Sequence, residues 1–246
     1  MTKKDEFNYK ELMKGILNIL AYFIGANILS IIFSFFIKKN IIPKSNIYYL
    51  LIYLIMAIIF VIIYNKELKK NYKDFKKNYK KDLKITFNAY LKGIFIMFLS
   101  NFILLYVFKL SKSVNELQNI EMIKRTLLYQ VIITAILAPL LEEIVFRLSF
   151  KNMTKNIMKY SFITGIIFGT AHVITSLSDP KMILLTIPYS AMGVALSYSY
   201  KKTNNIFSSI IMHMIHNSAT LVIIIIAIKG GIIWQKKKIK KKKQHL

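Results

Sequence analysis

Cysteine is absent from this chain of 246 residues, and acidic side chains are scarce. The absence of thiols excludes disulfide bonds, thiolate metal sites and cysteine nucleophiles. The chain has 11 Asp and Glu against 36 Lys and Arg, which gives a formal net charge of +25. Such an excess is typical of nucleic-acid-binding proteins, but here the lysines fall between apolar segments. Because lysines beside anionic lipid account for the same charge, we expect no nucleic-acid partner.

Three common catalytic motifs are also missing. The sequence has no His-Glu-x-x-His pair, no serine on a nucleophile elbow and no glycine-rich phosphate loop. The first absence argues against a zincin, and the second argues against a Ser-His-Asp hydrolase. The third argues against a phosphate-binding loop of the nucleotide-binding type.

Apolar residues, by contrast, make up 55% of the chain, and the mean hydropathy is +0.45. They form seven runs, at about 13–37, 47–64, 85–110, 127–150, 160–177, 182–200 and 206–228. A helix crosses a bilayer with ~20 residues, so the runs predict an all-α, polytopic transmembrane bundle of seven or eight spans. The first run is too long for a signal peptide, and we expect no cleavable leader.

The segment 66–84 carries nine lysines between the second and third runs. Its apolar residues recur at helical spacing, at Leu68, Tyr72, Phe75, Tyr79 and Leu83. The pattern predicts a basic amphipathic helix lying on an anionic membrane surface; a solvated linker is the alternative. We expect the lysines of 236–243 to contact anionic lipid in the same way. Within the third run, the Lys92 ammonium can snorkel to the nearer interface.

Lysine-rich loops stay in the cytoplasm, so the segment 66–84 places the N-terminus there, in a membrane that we expect to be the bacterial cytoplasmic membrane. After seven spans the tail, with seven lysines, would lie outside. Either 220–234 makes a short eighth crossing or the count is wrong elsewhere.

We expect a polar loop at 111–126. The predicted organisation is N-terminal membrane helices at 1–126, a catalytic membrane core at 127–234 and a lysine-rich tail at 235–246, all in one integrated membrane domain.

The fourth run contains two adjacent carboxylates and a guanidinium, Glu142-Glu143-x-x-x-Arg147. Ionisable groups inside a span are costly and mark functional sites by default. Glu143 and Arg147 are four residues apart and can pair on one helix face. Glu142 points about 100° away and is a candidate general base. A purely structural ion pair would explain Glu143 and Arg147 but not Glu142. Pro139 predicts a kink just before the motif.

Two later runs supply partners at a similar depth. Phe168-x-x-x-His172 lies in the fifth run and His213-x-x-x-Asn217 in the seventh. At 1.5 Å per residue, Glu142, His172 and His213 lie ~12, ~18 and ~10 Å from the cytoplasmic interface. His172 could orient a water with Glu142 or ligate a metal, and His213 with Asn217 could donate hydrogen bonds to an oxyanion.

The remaining histidines are less well placed. His216, three residues after His213 on a neighbouring helix face, competes with it for the site. His245 lies in the tail and is expected to be a solvated bystander.

Together the three motifs resemble the CPBP intramembrane proteases, also called the ABI family, which include the type II CAAX prenyl endopeptidases. The resemblance covers about 125–220 and departs at Leu148, where the family often has glycine. It implies that Glu142 is the catalytic base and that His172 helps to activate the water. It also implies that His213 and Asn217 stabilise the oxyanion.

By the same resemblance, Glu143, Arg147 and Phe168 would support the site. The cofactor is left open, since such proteins have been described both as metal-free glutamate proteases and as metalloproteases. A single divalent ion such as Zn²⁺ would be held by Glu142, His172 and His213.

The sequence therefore predicts an intramembrane endopeptidase acting on a peptide or membrane-protein substrate. In this hypothesis a Glu/His-activated water attacks the scissile carbonyl in a cytoplasm-facing cavity. The alternatives are a non-catalytic bacteriocin-immunity or binding protein and a small transporter with a Glu/His proton relay. A transporter would more often show two related halves, which the sequence lacks.

Overall fold

The computed structural model describes residues 7–43 and 45–244, apart from the side chains of 231–244. In these residues all regular structure is helical, which confirms the all-α prediction. Nine α-helices are formed in this part of the chain: α1 Tyr9–Lys38, α2 Ile47–Ile63, α3 Asn65–Phe102, α4 Val114–Arg125, α5 Leu127–Ile132, α6 Ala138–Phe146, α7 Ile157–Val173, α8 Thr186–Thr203 and α9 Ile206–Gln244. His245 and the side chains of 236–243 lie outside the described residues.

Several helices are long and apolar enough to cross a membrane. In the described residues there are five such segments: Tyr9–Lys38, Asn65–Val107, Ile157–Ser176, Pro180–Thr203 and Ile206–Gly230. The apolar helix Ile47–Ile63 is shorter. The chain is thus a multi-pass membrane protein, although five is fewer than the predicted seven or eight spans.

A short eighth crossing at 220–234, one of the two alternatives, is not found, because α9 runs without a chain reversal from Ile206 to Gln244. Gly230 and Gly231 lie within this helix and do not interrupt it. A glycine inside a helix costs only ~1 kcal/mol relative to alanine, and a Cβ on Gly230 would meet no atom within 4 Å. Nothing folds the chain back at this point.

The basic segment 66–84 is helical, but it is part of one 38-residue helix that includes the third apolar run. An interfacial helix separate from that span is not found. Its N-terminal part is held by the turn between α8 and α9: the Asn205 side-chain amide donates to the Asn71 carbonyl at 2.9 Å, and the Ile206 N–H donates to Asn71 Oδ1 at 2.8 Å. The turn uses a left-handed residue, Asn204, at φ 53°.

The predicted loop at 111–126 is also wrong, because Val114–Arg125 is helical. Ser113 caps this helix by accepting a hydrogen bond from the Glu116 N–H at 3.2 Å. A serine followed three residues later by glutamate is the capping-box signature, so the sequence contained the signal. The polar composition of the segment predicts a loop, and that prediction does not take the capping box into account.

Several lysine-bearing segments meet at one end of the bundle. The Asn8 N–H, just before α1, donates to the Met153 carbonyl at 2.8 Å. Glu67, at the start of α3, pairs with Lys151 at 2.8 Å. The starts of α1 and α3 therefore lie beside the loop that joins α6 to α7, as expected for helices that alternate in direction.

Close helix packing fixes α7 against α8. A Cβ on Gly165 would lie 2.5 Å from the Val194 backbone nitrogen, and a Cβ on Gly193 would lie 2.7 Å from the Gly165 carbonyl oxygen. Only residues without a side chain allow this approach, as in other membrane helix pairs. The glycines thereby fix the position of α7, which carries Phe168 and His172.

The largest apolar core surrounds the acidic motif. Leu141 and Ile144 of α6 are fully buried, and they pack in one cluster with Tyr22 of α1 and Ile52 of α2. The N-terminal helices therefore form part of the wall around α6. The carboxylates of α6 lie within this apolar cluster, where an unpaired charge would be strongly destabilising.

Candidate active site

The site begins with an irregularity in the helix that carries the acidic motif. Ile133–Leu137 is π-helical, and Pro139 occupies the first turn of α6. In a π-helix a carbonyl pairs with the N–H five residues later, so the Thr134 carbonyl faces Pro139, which has no N–H. The Asn217 side-chain amide donates to this carbonyl at 3.0 Å. The predicted disturbance at Pro139 is present, and Asn217 satisfies the group that it frees.

Glu143 and Arg147 form the predicted ion pair and are fully buried. Arg147 Nη1 lies 3.2 Å from Glu143 Oε1, and Arg147 Nη2 donates to the Gly193 carbonyl at 3.4 Å. The guanidinium also lies 4.3 Å from the centre of the Phe168 ring. The Tyr160 hydroxyl donates to the Arg147 carbonyl at 2.6 Å, which fixes the end of α6.

Glu143 has a second partner that the sequence did not predict. Its Oε1 lies 2.8 Å from His213 Nδ1. A carboxylate only accepts hydrogen bonds, so His213 Nδ1 carries the proton in this contact. The other ring nitrogen, Nε2, points away from Glu143. The second oxygen, Glu143 Oε2, is buried and has no hydrogen-bond partner among the described residues. Glu143 therefore connects the guanidinium of Arg147 to the imidazole of His213.

Glu142 has a different environment. Its Oε2 lies 3.6 Å from His213 Nε2 and 4.0 Å from His172 Nε2. Its side chain is 16% exposed, whereas that of Glu143 is 0% exposed. These separations exceed a direct hydrogen bond and leave room for a bridging water. As the sequence indicated, one carboxylate is neutralised and its neighbour faces a space that solvent can enter.

His172 is oriented by its own helix. Its Nδ1 lies 2.9 Å from the Phe168 carbonyl, which only accepts, so Nδ1 carries the proton and Nε2 faces Glu142. The ring stacks on Tyr189 with centroids 5.0 Å apart. The Tyr189 hydroxyl pairs with Ser113 Oγ at 2.9 Å. Tyr189 was missed because an aromatic residue in an apolar run carries no sequence signal for a site.

Two tyrosines from the N-terminal helices lie near Glu142. The hydroxyls of Tyr22 in α1 and Tyr53 in α2 interact with one another, and both interact electrostatically with Glu142. No sequence pattern predicts that α1 and α2 lie beside the acidic motif. Neither tyrosine was predicted.

The remaining candidates are placed as follows. His216 faces Tyr90 on α3, with its Nδ1 3.4 Å from the phenol oxygen, so it is not part of the cluster around Glu142. Asn217 contacts Thr134 rather than the two imidazoles. The predicted common depth of Glu142, His172 and His213 is confirmed by their convergence within 4.0 Å.

If a metal is present, its expected ligands are Glu142, His172 and His213. Among the described residues no group of three or more His, Asp or Glu side chains has the spacing of a metal site. The donors of a tetrahedral zinc lie ~2.0–2.2 Å from the ion, which places neighbouring donors ~3.3–3.6 Å apart. Glu142 Oε2 lies 3.6 Å from His213 Nε2 and 4.0 Å from His172 Nε2, so the first separation fits such an ion and the second would have to shorten.

Comparison with known proteins agrees with the geometry. Residues 124–219 match the family model of the type II CAAX prenyl endopeptidase Rce1-like proteins, close to the range expected from the motifs. Over 120 residues the chain is 29% identical to "Putative membrane peptidase YdiL" of Bacillus subtilis (strain 168), an alignment that covers 48% of this chain and 46% of that protein. The chain thus matches about half the length of this relative.

No solved structure matches the chain. The matched region nevertheless contains every residue predicted for the site, and these residues converge in the fold. Residues 124–219 of the chain are therefore similar to the type II CAAX prenyl endopeptidase Rce1-like proteins and, in the aligned half, to a putative membrane peptidase.

Proposed function

We propose that this protein is an intramembrane endopeptidase in which Glu142 activates a water molecule. The observation that carries the proposal is the position of Glu142 Oε2, which faces the Nε2 atoms of His213 and His172 at 3.6 and 4.0 Å. The carboxylate is partly accessible, and both imidazoles turn their free nitrogen towards it. The family match supports a proteolytic role for these groups.

Water activation is the first step. A water between Glu142 and the imidazoles donates one hydrogen bond to the carboxylate and one to His172 Nε2, which orients its oxygen lone pair towards the substrate carbonyl. As the oxygen attacks the carbonyl carbon, its proton moves to Glu142. General base catalysis of this kind contributes about 10²–10⁴-fold to a rate.

Stabilisation of the oxyanion is assigned to His213. Glu143 accepts the Nδ1 hydrogen at 2.8 Å, which holds the ring with Nε2 towards the site. In the imidazolium form Nε2 also carries a hydrogen and donates it to the tetrahedral oxyanion. Asn217 donates one amide hydrogen to the Thr134 carbonyl, and its second amide hydrogen is donated to the oxyanion.

Breakdown of the tetrahedral intermediate returns the proton. The carboxylic acid formed at Glu142 protonates the departing amide nitrogen, the C–N bond breaks, and the new carboxylate and amine leave. Glu142 is again ionised. Arg147 stabilises the charge of Glu143 throughout, at 3.2 Å, so Glu143 keeps its role as hydrogen-bond acceptor for His213.

The topology that goes with this proposal has seven spans. In addition to the five long apolar segments and α2, the helical residues 127–146 run without interruption, which is ~30 Å at 1.5 Å per residue. Lysine-rich loops favour the cytoplasmic side, so we place the starts of α1 and α3 and the catalytic cavity there, in a bacterial cell membrane, and the end of α9 on the opposite side. The substrate is a peptide or membrane protein.

The two lysine-rich parts of the chain are assigned to contacts with the membrane surface. The lysines of 66–84 extend from the membrane on α3 and contact anionic lipid, as do those of 236–243.

The test is peptide hydrolysis by the purified protein in liposomes. A library of transmembrane peptides is incubated in ¹⁸O-labelled water, and mass spectrometry looks for fragments with one ¹⁸O in the new carboxyl terminus. Glu116→Gln, which changes an exposed carboxylate of α4, is the matched control and should cleave like the wild type. Absence of cleavage across the library, together with protection against a bacteriocin, would favour the immunity protein instead.

A further inference from the structure

A second polar feature lies away from the acidic motif. A groove of about 540 Å³ opens between α3, α7 and α8. None of its lining residues belongs to the cluster around Glu142. Its walls carry two lysines, Lys92 and Lys202, with Asn88, Ser161 and Tyr198. The rest of the lining is apolar, and no carboxylate contributes to it.

The floor of the groove consists of small residues. A Cβ on Gly93 would lie 2.6 Å from the Cβ of Ala195, so α3 and α8 are in close contact here. Ala89 and Ala195 are buried beneath the opening. Because these side chains are short, the larger residues on either side, Ile96 and Met158 among them, form apolar walls with a slot between them.

The two lysines face the same end of this slot. Lys202 lies seven residues beyond Ala195 on α8, ~10 Å along the axis, and Asn88 lies five residues before Gly93 on the antiparallel α3, ~8 Å along its axis. These two side chains therefore lie at one level. Lys92 begins about one turn deeper, and its four-carbon chain carries the ammonium back towards that level.

Neither lysine has a charged partner in the part of the chain that the structure describes. The ion pairs of the described residues involve neither Lys92 nor Lys202. Lys92 is the only charged residue between Lys84 and Lys109, and both groove lysines are exposed. A lone ammonium inside an apolar span is costly, and an anion at the mouth of the groove would remove that cost.

We propose that this groove is a binding site for one anionic phospholipid, such as phosphatidylglycerol. The phosphate lies between Lys92 and Lys202, with Asn88 as a further hydrogen-bond donor, and an acyl chain fills the apolar slot. Charge and depth together select this occupant, because a zwitterionic lipid would bring its own cation beside the two ammonium groups and a soluble anion would leave the slot empty. The site is distinct from the lysines of 66–84, which face outwards, and it does not depend on the peptidase activity.

The experiment counts lipids retained by the intact protein. The wild type is purified from liposomes of equal phosphatidylglycerol and phosphatidylcholine, and native mass spectrometry measures the bound lipids. The variants are Lys92→Gln with Lys202→Gln, and Asn88→Asp, which adds a carboxylate of nearly the same size. Lys80→Gln with Lys81→Gln is the matched control, since these exposed lysines of α3 do not line the groove.

We expect the wild type to retain one phosphatidylglycerol in preference to phosphatidylcholine. Both groove variants should bind it roughly tenfold or more weakly, because each lysine near an anionic headgroup contributes measurably to binding, while the control should not change. If the double variant fails to fold, the retention of phosphatidylglycerol by Asn88→Asp tests the proposal. Equal retention by all variants, equal retention of the two lipids, or displacement by free glycerol phosphate would each overturn the proposal.

Discussion

The Asn217 side chain donates a hydrogen bond to the Thr134 carbonyl at 3.0 Å, the carbonyl that Pro139 leaves without a backbone partner. This contact joins α9 to the π-helical stretch that precedes the acidic motif. It gives Asn217 a positioning role that the motif alone did not reveal. The two helices that carry Glu142 and His213 are therefore held together just beside the site.

The first prediction concerns this contact. Asn217→Ala leaves the Thr134 carbonyl unpaired and should lower the free energy of unfolding by ~1–3 kcal/mol. Pro139→Ala restores an N–H at the position that a π-helical carbonyl needs, so in that background Asn217→Ala should cost much less. Denaturant unfolding in micelles of the two single variants and the double variant measures the coupling. An equal cost in both backgrounds would show that Pro139 is not the cause.

The second prediction concerns Arg147. Arg147→Ala would leave Glu143 buried without its cation, and breaking a buried pair in this way costs ~3–5 kcal/mol. We expect lower abundance in the membrane and a lower melting temperature than for a change at Glu142. Arg125→Ala is the control, because Arg125 is 68% exposed and lies 3.9 Å from Glu121. If Arg147→Ala and Arg125→Ala melted alike, the buried pair would contribute nothing.

The third prediction separates the two histidines of α9. His213→Gln removes the imidazole assigned to the oxyanion and should reduce kcat by about 10²–10³-fold, the usual cost of losing one such donor. His216→Gln should leave kcat within a few-fold of wild type, since His216 faces Tyr90. Single-turnover cleavage by both variants is the measurement. A large loss for His216→Gln with an active His213→Gln would reverse the assignment.

The fourth prediction concerns topology. The wild type has no cysteine, so single cysteines can be labelled with little background. Asn78→Cys, at an exposed position of α3, should be shielded from a membrane-impermeant thiol reagent in intact cells and labelled after lysis. Gln244→Cys should be labelled in intact cells, because α9 is uninterrupted from Ile206. Labelling of Asn78→Cys in intact cells would invert the orientation, and shielding of both would require an even number of spans.

Some of the site could be predicted because it is local in sequence. Glu143 and Arg147 are four residues apart on one helix, and this spacing alone predicts the ion pair at 3.2 Å. The different environment of Glu142 follows from its 100° offset on the same helix. The helical runs were predicted from apolar length, which is the strongest signal that a membrane protein offers.

The rest depends on contacts between distant parts of the chain. The hydrogen bond between Glu143 and His213 joins residues 70 positions apart, and no periodicity encodes it. The stacking of Tyr189 on His172 depends on how α8 packs against α7. The continuous helix α3 was divided into two elements because its composition changes near Ile85, although the backbone hydrogen bonding does not change there.

The central claim is that Glu142 is the catalytic base, and the most direct measurement is the rate of peptide cleavage by purified Glu142→Gln. The amide keeps the size of the side chain but cannot accept the proton of water. We predict an unchanged melting temperature and a cleavage rate lower by about 10²–10⁴-fold, with the Glu116→Gln control as active as the wild type. A folded Glu142→Gln protein that cleaves at the wild-type rate would contradict the account.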